Sequence, residues 1–541
     1  MKKTFILISI QLIAVFAFGQ KQKSSSTLSR PKLVVGIVVD QMRHDYLQKF
    51  YNRYGEGGFK RMLDQGVNCS NNHYSYVPTV TAAGHASIYT GTTPAVHGIV
   101  GNDWTDVLTG KKMYCVDDST VKTVGTTGKT GLMSPKNLWT STITDQVRLA
   151  QNFKNKTIAI ALKDRGAILP GGHTANGAYW YDSKEGNWIT STFYMNELPA
   201  WVTKFNAEKQ AENLTKNGWN TLYPIQSYTI SAEDESAFEG KIAGEKTTSF
   251  PHSFAVGNAL ESIRTSPFGN TITKNFAIRS IDEEKLGQGE ATDFLAISFS
   301  SPDYVGHTFG PQSIELEDTY LRLDKDIEDL LNHLDNKVGK GNYLVFLTAD
   351  HAVADNPGYL NSKKMPGGAF DRTKAMSDIK NALKLSVGTG DLIIGEENSQ
   401  LYLDGKTMES LQISREKVFQ TIEKVLFKMD GFSRLIDLKN IQNTTFIENY
   451  KELIKNGYHP ARSGDFMILL KPQWFIGYKT GTTHSTLYAY DTHVPLLFYG
   501  WNLSAKEINT KTNINDIAPT LANLLKCMEP TGTTGQIIKL K

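Results

Sequence analysis

Lys32-Leu-Val-Val-Gly-Ile-Val-Val-Asp40 is an apolar run, without polar alternation, that stops on a carboxylate. A half-exposed strand alternates apolar and polar residues, whereas one buried on both faces does not. The run therefore predicts a central strand of a parallel sheet. Open α/β sheets bind ligands outside the carboxyl ends of their strands, and Asp40 stands at such an end. Phe294-Leu-Ala-Ile-Ser-Phe-Ser300 leads in the same way to Asp303, and Tyr343-Leu-Val-Phe-Leu-Thr-Ala349 to Asp350-His351. Three apolar runs, each delivering an acid to one rim, predict a metal site.

Outward from these runs the pattern alternates strand and helix. Short helices are expected over Asp45–Tyr54 and Gly57–Gln65, and a helix from Pro78-Thr-Val-Thr81 to Tyr89 closing at Thr90-Gly91. Ser134-Pro135 is read as the start of a helix to Gln151, and Thr157–Leu162 as a second buried strand. This is βαβα alternation, so the predicted fold class is α/β: a mostly parallel, doubly wound sheet flanked by helices. Residues 171–250, rich in Trp, Tyr, Asn and Lys and weakly periodic, are read as an insertion over the core. Phe254–Ile263 is read as a helix. Ile314–Leu334 is a long amphipathic helix, with Leu316, Tyr320, Leu323, Ile327, Leu330 and Leu331 on one face. A second insertion is expected over 357–474, a return to the sheet at His493–Tyr499, and a closing helix at Asp516–Leu525. Residues 31–541 thus read as one domain with two insertions.

The 541 residues carry a net charge of +3, a balance that excludes strong attraction to nucleic acid or to a membrane surface. Lys2 and Lys3, the apolar stretch Phe5–Phe18 and the small-residue end Ala17-Phe-Gly19 read as a secretory signal peptide over residues 1–19. A polar, Ser-rich leader follows over residues 20–30. No cysteine follows the cleavage position, no other segment reads as a membrane span, and the expected location is the periplasm or the medium. The three cysteines are Cys69, Cys115 and Cys527, and export permits a Cys69–Cys115 disulfide. So few scattered thiols leave His and carboxylate as the ligands of any metal.

Asp303-Tyr-Val-Gly-His307 sets a carboxylate and an imidazole one helical turn apart. Asp350-His351 share a target only if the backbone turns at the strand end. His484 sits in a loop of small polar residues, Gly481-Thr-Thr-His-Ser485. His85, His97, His173 and His493 are read as supporting groups. Thr79 and Thr81 lie at a helix start, where a threonine ordinarily caps, but where the helix also favours an anionic oxygen. Lys163-Asp-Arg165 follows a strand, and alternation would put its two cations on one side, suited to a dianionic phosphoryl group.

Val39-Asp-Gln-Met-Arg-His-Asp-Tyr46, Pro78-Thr-Val-Thr-Ala-Ala-Gly-His85, His97-Gly-Ile-Val-Gly-Asn102, Asp303-Tyr-Val-Gly-His-Thr-Phe-Gly-Pro311, Thr348-Ala-Asp-His351 and His493-Val-Pro-Leu-Leu-Phe-Tyr-Gly500 together resemble the alkaline phosphatase superfamily. Within it they are most similar to secreted bacterial alkaline phosphatases of the PafA type, relatives of nucleotide pyrophosphatases/phosphodiesterases. The resemblance implies two zinc ions per chain, one held by Asp303, His307 and His484, the other by Asp40, Asp350 and His351 with the Thr81 oxygen. It implies that Asn102, Lys163 and Arg165 contact phosphoryl oxygens and that Thr81, four residues before His85, is the nucleophile of a double displacement on small-molecule phosphate monoesters. A sulfatase would need a Cys or Ser in a C/S-x-P-x-R motif, which the Thr79–His85 stretch lacks. A phosphodiesterase shares the metals and nucleophile but not the added cations. A non-catalytic secreted zinc-binding protein needs no activated threonine.

Overall fold

The computed structural model describes residues 30–254, 258–477 and 479–541. The expected signal peptide and all of the leader except Arg30 lie outside the described residues, as do residues 255–257 of the helix expected at Phe254–Ile263. Of that helix the structure shows Ala259–Ser262, continued by a short 3-10 turn.

A ten-stranded sheet forms the centre. Its middle strands are β1 (Leu33–Val39), β2 (Thr157–Ala161), β3 (Gly177–Asp182), β4 (Asp293–Phe299), β5 (Tyr343–Thr348) and β6 (Leu496–Gly500). They lie in the spatial order β6-β5-β1-β4-β2-β3. All neighbours are parallel except the antiparallel β5–β6 pair. Every residue of β1, β4 and β5 is buried, as their unbroken apolar sequences require. Register brings Val39 level with Phe299, and Val38 level with Thr348. Asp40 continues the ladder by donating its N–H to the Phe299 carbonyl at 3.0 Å. The carboxyl ends of three adjacent strands are therefore flush, and each is followed by an acid.

Four helices matter most: α1 (Thr81–Thr90), α2 (Asp164–Gly171), α3 (Ser301–Phe309) and α4 (Ile314–Leu334). The Ser313 side chain caps α4, and its six expected apolar residues are all buried. All ten residues of α1 are buried, and it ends on Gly91 in the left-handed region (φ 67°).

Several expectations need correction. The helix expected from Ser134 begins at Ile143, because Thr142 and Asp145 form a reciprocal capping box. Ser134 is instead drawn to the Asp118 carboxylate at 2.6 Å, so the Ser-Pro pair serves a loop. The stretch from residue 171 is not wholly an insertion: β3 and the strand Asn187–Ser191 extend the central sheet. Their Trp and Tyr residues pack into the main core, and this hid the strand pattern. No disulfide joins Cys69 to Cys115; both are buried free thiols. Cys69 ends the sheet strand Val67–Cys69, while the Cys115 N–H is bonded to the Asn102 carbonyl, so the chain ties them into different elements.

The expected second insertion carries its own four-stranded antiparallel sheet, Ile393–Glu397, Gln400–Leu403, Phe466–Leu470 and Phe432–Asp437. Its separate core includes Ile379, Leu383, Leu401, Val418, Ile422 and Phe466. The tip of that sheet docks on the main domain, where the Asn398 side chain donates to the Asp103 carbonyl at 2.9 Å.

Helix α1 sits directly on the end of β5. A Cβ placed on Gly84 would fall 2.2 Å from the Asp350 carbonyl oxygen and 2.8 Å from its Cα. Only glycine permits this approach. Gly84→Ala must push the helix off the strand end, and overpacking of a dense core costs about 1–3 kcal/mol. Chemical denaturation should read a loss of that size, together with a fall in activity larger than that of Ala86→Gly, which opens space on the same helix. A Gly84→Ala protein with wild-type stability and activity would contradict this packing.

Candidate active site

Four elements deliver the predicted side chains to the rim of the sheet. Asp40 follows β1; Asp303 and His307 lie one turn apart on α3; Asp350 and His351 follow β5; His484 comes from the loop before β6. The backbone does turn after Thr348, so Asp350 and His351 reach the same centre. Asp350 Oδ2 and His351 Nε2 are 3.4 Å apart.

The histidines show a common arrangement. A backbone carbonyl only accepts, so the ring nitrogen facing it must carry the proton. His307 Nδ1 donates to the Thr482 carbonyl (2.8 Å), His351 Nδ1 to that of Ala352 (3.0 Å) and His484 Nδ1 to that of Thr79 (2.6 Å). In each ring this leaves Nε2 with its lone pair. The three Nε2 atoms lie 3.2, 4.0 and 3.8 Å from a single oxygen, Asp303 Oδ1. Fixing the tautomer through the far nitrogen is how proteins prepare histidines for metal. Burial holds His351 neutral, with its pKa lowered to about 4, and holds His484 well below the ordinary range. His307 is displaced upward: burial opposes its charge, but Asp303 beside it outweighs that.

The carboxylates fit the same reading. Asp40 and Asp350 are fully buried, and Asp303 nearly so. Asp40 Oδ2, Asp350 Oδ2 and His351 Nε2 are buried atoms without hydrogen-bond partners. Burial, then the charge of Asp40, pushes Asp350 up to about 7. Such groups are costly in a core unless a cation joins them. The ligand atoms of Asp303, His351 and His484 lie within 4.8 Å of one another, as do those of Asp40, His85 and Asp350. The residues present therefore fit two adjacent cations with nitrogen and oxygen ligands, the donor set that suits zinc. His351 stands between the two halves. His85 has both nitrogens engaged, Nδ1 with the Thr81 carbonyl (2.9 Å) and Nε2 with Ser298 Oγ (3.1 Å), so it braces the site.

Thr81 opens α1, and its hydroxyl lies 3.5 Å from Lys163 Nζ. Thr79 is committed elsewhere, donating to the Thr486 carbonyl at 3.2 Å. Helix α1 has no side-chain cap of its own; Asn102 supplies one from another segment, its Oδ1 accepting from the Ala82 N–H at 2.9 Å. That commitment leaves the Asn102 amide hydrogens to donate. Lys163 and Arg165 do not lie on a strand. Lys163 immediately precedes α2 and Arg165 is in its first turn, so helical geometry replaces the expected alternation. Lys163 Nζ is 2.6 Å from Asp303 Oδ2 and 3.0 Å from Asp40 Oδ2, the latter without hydrogen-bond alignment. Arg165 is held by Tyr114, whose hydroxyl accepts from Nη1 at 3.0 Å and donates to Asp164 at 2.5 Å. Sequence reading missed Ser298 and Tyr114. Ser298, which donates to Asp40 Oδ1 at 2.7 Å, was visible as a polar residue inside the apolar run of β4. Tyr114 carried no signal.

Residues 34–495 match the family described as type I phosphodiesterase / nucleotide pyrophosphatase. The chain is 47% identical to alkaline phosphatase PhoV of Synechococcus elongatus over 546 residues, covering 98% of each. It is 47% identical over 523 residues, 95% of each, to a Myroides odoratus protein named calcium-transporting ATPase. Among the described residues no helix is long and apolar enough to cross a membrane. The crystal structure of wild-type alkaline phosphatase PafA superposes with a TM-score of 0.91 at 47% identity, covering 94% of this chain and 98% of that one.

Asn102 caps α1 through Oδ1 and keeps its amide hydrogens for another partner, and substitution should test whether that partner is the anion. Asn102→Ala removes the cap and the donor, so it should lose about 1 kcal/mol of stability and bind inorganic phosphate about tenfold or more weakly. Asn102→Asp keeps an acceptor for the Ala82 N–H and loses the donor. Denaturation should find it close to wild type, while phosphate titration finds it as weak as Asn102→Ala. Equal phosphate affinity in all three proteins would show that the side chain does not face the anion.

Proposed function

The chain belongs to the type I phosphodiesterase / nucleotide pyrophosphatase family and is an alkaline phosphatase, and from that premise we propose that it hydrolyses phosphate monoesters through a phosphothreonine at Thr81. The observation that carries this reading is the convergence of three histidine Nε2 atoms on Asp303 Oδ1, beside two buried carboxylates and the start of α1. We assign one ion to Asp303, His307 and His484, and the other to Asp40, Asp350, His351 and the Thr81 oxygen. Both ions are zinc in this proposal. When bound, such a pair lowers the pKa of the nucleophile's hydroxyl and neutralises charge on the leaving oxygen.

The protein's own groups do the rest. The N-terminus of α1, braced by Asn102, favours a negative oxygen on Thr81. Thr81, presented by a helix that Gly84 seats on the strand end, attacks phosphorus in line and the ester oxygen departs on the far side. Water then displaces Thr81 by the reverse geometry and inorganic phosphate leaves. Lys163, Arg165 and the Asn102 amide hold the nonbridging oxygens, which bear most of the charge in phosphoryl transfer. His351 and His484 stay neutral ligands because burial suppresses their protonation. The N-terminal reading places the enzyme in the periplasm or the medium, with 31–541 as the catalytic unit.

Lys163 and Arg165 make the case for monoesters over diesters. A monoester carries two negative charges near pH 8 and a diester one, so each added cation favours the monoester. Charge-assisted contacts contribute about 2 kcal/mol each, and about 1.4 kcal/mol is tenfold, so the pair supplies on the order of a thousandfold preference. The test is kcat/KM on a monoester and a diester sharing one leaving group, in wild type and in Lys163→Ala/Arg165→Ala. Monoester turnover should fall steeply and diester turnover much less. Equal losses would show that these cations do not set the class, and a wild type preferring the diester would make the enzyme a phosphodiesterase.

A further inference from the structure

We infer that Gln41 is a positioning residue that ties the two halves of the metal centre together, and that position 306 is glycine to admit its side chain. The inference rests on the two-ion reading above. Gln41 directly follows Asp40, is buried, and holds a left-handed backbone (φ 64°). A side chain other than Gly, Asn or Asp visits that region at a cost of roughly 1–2 kcal/mol, and persists there only when its surroundings compel it. Here the bend directs two donors to two acids. The Gln41 N–H donates to Asp350 Oδ1 at 3.0 Å, and the side-chain amide donates to Asp303 Oδ1 at 2.6 Å. Asp350 belongs to one half of the centre and Asp303 to the other.

The chemistry of the amide matters. Asp303 is gripped on both oxygens, Oδ2 by Lys163 and Oδ1 by Gln41, so its plane is set before the three histidine Nε2 atoms are counted. A neutral donor orients a carboxylate without cancelling its charge. A second lysine or arginine in its place would compete with the cation the carboxylate is there to bind.

Gly306 supplies independent geometry. It lies on α3 one turn after Asp303, and a Cβ built there would fall 2.0 Å from Gln41 Oε1 and 3.0 Å from Cδ. Even an alanine at 306 displaces the Gln41 amide. The glycine in Asp303-Tyr-Val-Gly-His307 is thus explained by a residue more than two hundred and fifty positions away, as Gln41 and Asp303 are 262 apart.

The test reads metal rather than turnover. Wild type, Gln41→Leu, Gln41→Gly and Gly306→Ala are loaded with zinc, dialysed against one fixed concentration of a competing chelator, and analysed for zinc per chain, with circular dichroism as the check on folding. Loss of such a supporting bond typically weakens metal binding about 10- to 100-fold. Wild type should retain about two zinc ions, and each single variant about one, because the Gln41 backbone N–H still holds Asp350 while Asp303 is loosened. Gln41→Gly keeps the backbone conformation without strain, so it carries the test if Gln41→Leu misfolds. The double variant Gln41→Gly/Gly306→Ala should be no worse than either single one, since the second change finds no amide to displace. Retention of both ions, loss of both together, or additive losses in the double variant would each overturn the inference. A wild type that holds no zinc would overturn the two-ion reading and this inference with it.

Discussion

Three buried carboxylates just beyond the carboxyl ends of three adjacent parallel strands are the constraint on which the rest of this molecule depends. Asp40, Asp303 and Asp350 are almost wholly withdrawn from water, and among the described residues only Lys163 brings them a permanent positive charge in direct contact, to Asp40 and Asp303. Removing like charges from water and crowding them together is among the most costly arrangements available to a protein. It is sustained by a dense core beneath: β1, β4 and β5 are buried along their whole length, so the rim cannot relax without breaking the sheet. What the rim lacks in counter-charge it offers to cations, with three histidines already locked in the tautomer that presents a lone pair.

From that constraint the placement of the reactive groups follows. A helix start makes a poor general base but a good place for an anionic oxygen. Here α1 is driven so close to the end of β5 that one Cβ would not fit, which brings Thr81 to the centre. Lys163 reaches the same point from the strand β2 side, and Asn102 arrives as the missing cap of α1. Both side chains have a structural partner as well as the role toward substrate proposed for them. Burial of His97 against Ser87 and of His85 against Ser298 stiffens α1 from behind.

Much of this was legible in the sequence. An apolar run without alternation has one good explanation, and an acid at its end marks the rim; that logic located Asp40, Asp303 and Asp350 and the parallel order of their strands. What it could not resolve was competition between equally valid local signals. Ser134-Pro135 and Thr142-x-x-Asp145 both announce a helix, and the second prevailed because Asp118 claims Ser134. The strands at Gly177–Asp182 and Asn187–Ser191 were hidden because their aromatic residues pack into the core without a simple period. Lys163 and Arg165 were singled out on strand alternation, and that geometric reason fails, since a helix begins between them. Contacts that depend on chain reversal, such as Tyr114 to Arg165 or Gln41 to Asp303, have no local signature at all.

The central claim is that Thr81 carries the phosphoryl group between the two displacements. It is tested most directly by mixing enzyme with a phosphate monoester, quenching in acid during turnover, and mapping phosphate on the peptide that contains both Thr79 and Thr81. The account predicts phosphothreonine at Thr81, and none in Thr81→Ala although Thr79 is still present. Phosphate on Thr79, or steady turnover by Thr81→Ala at the wild-type rate, would contradict it.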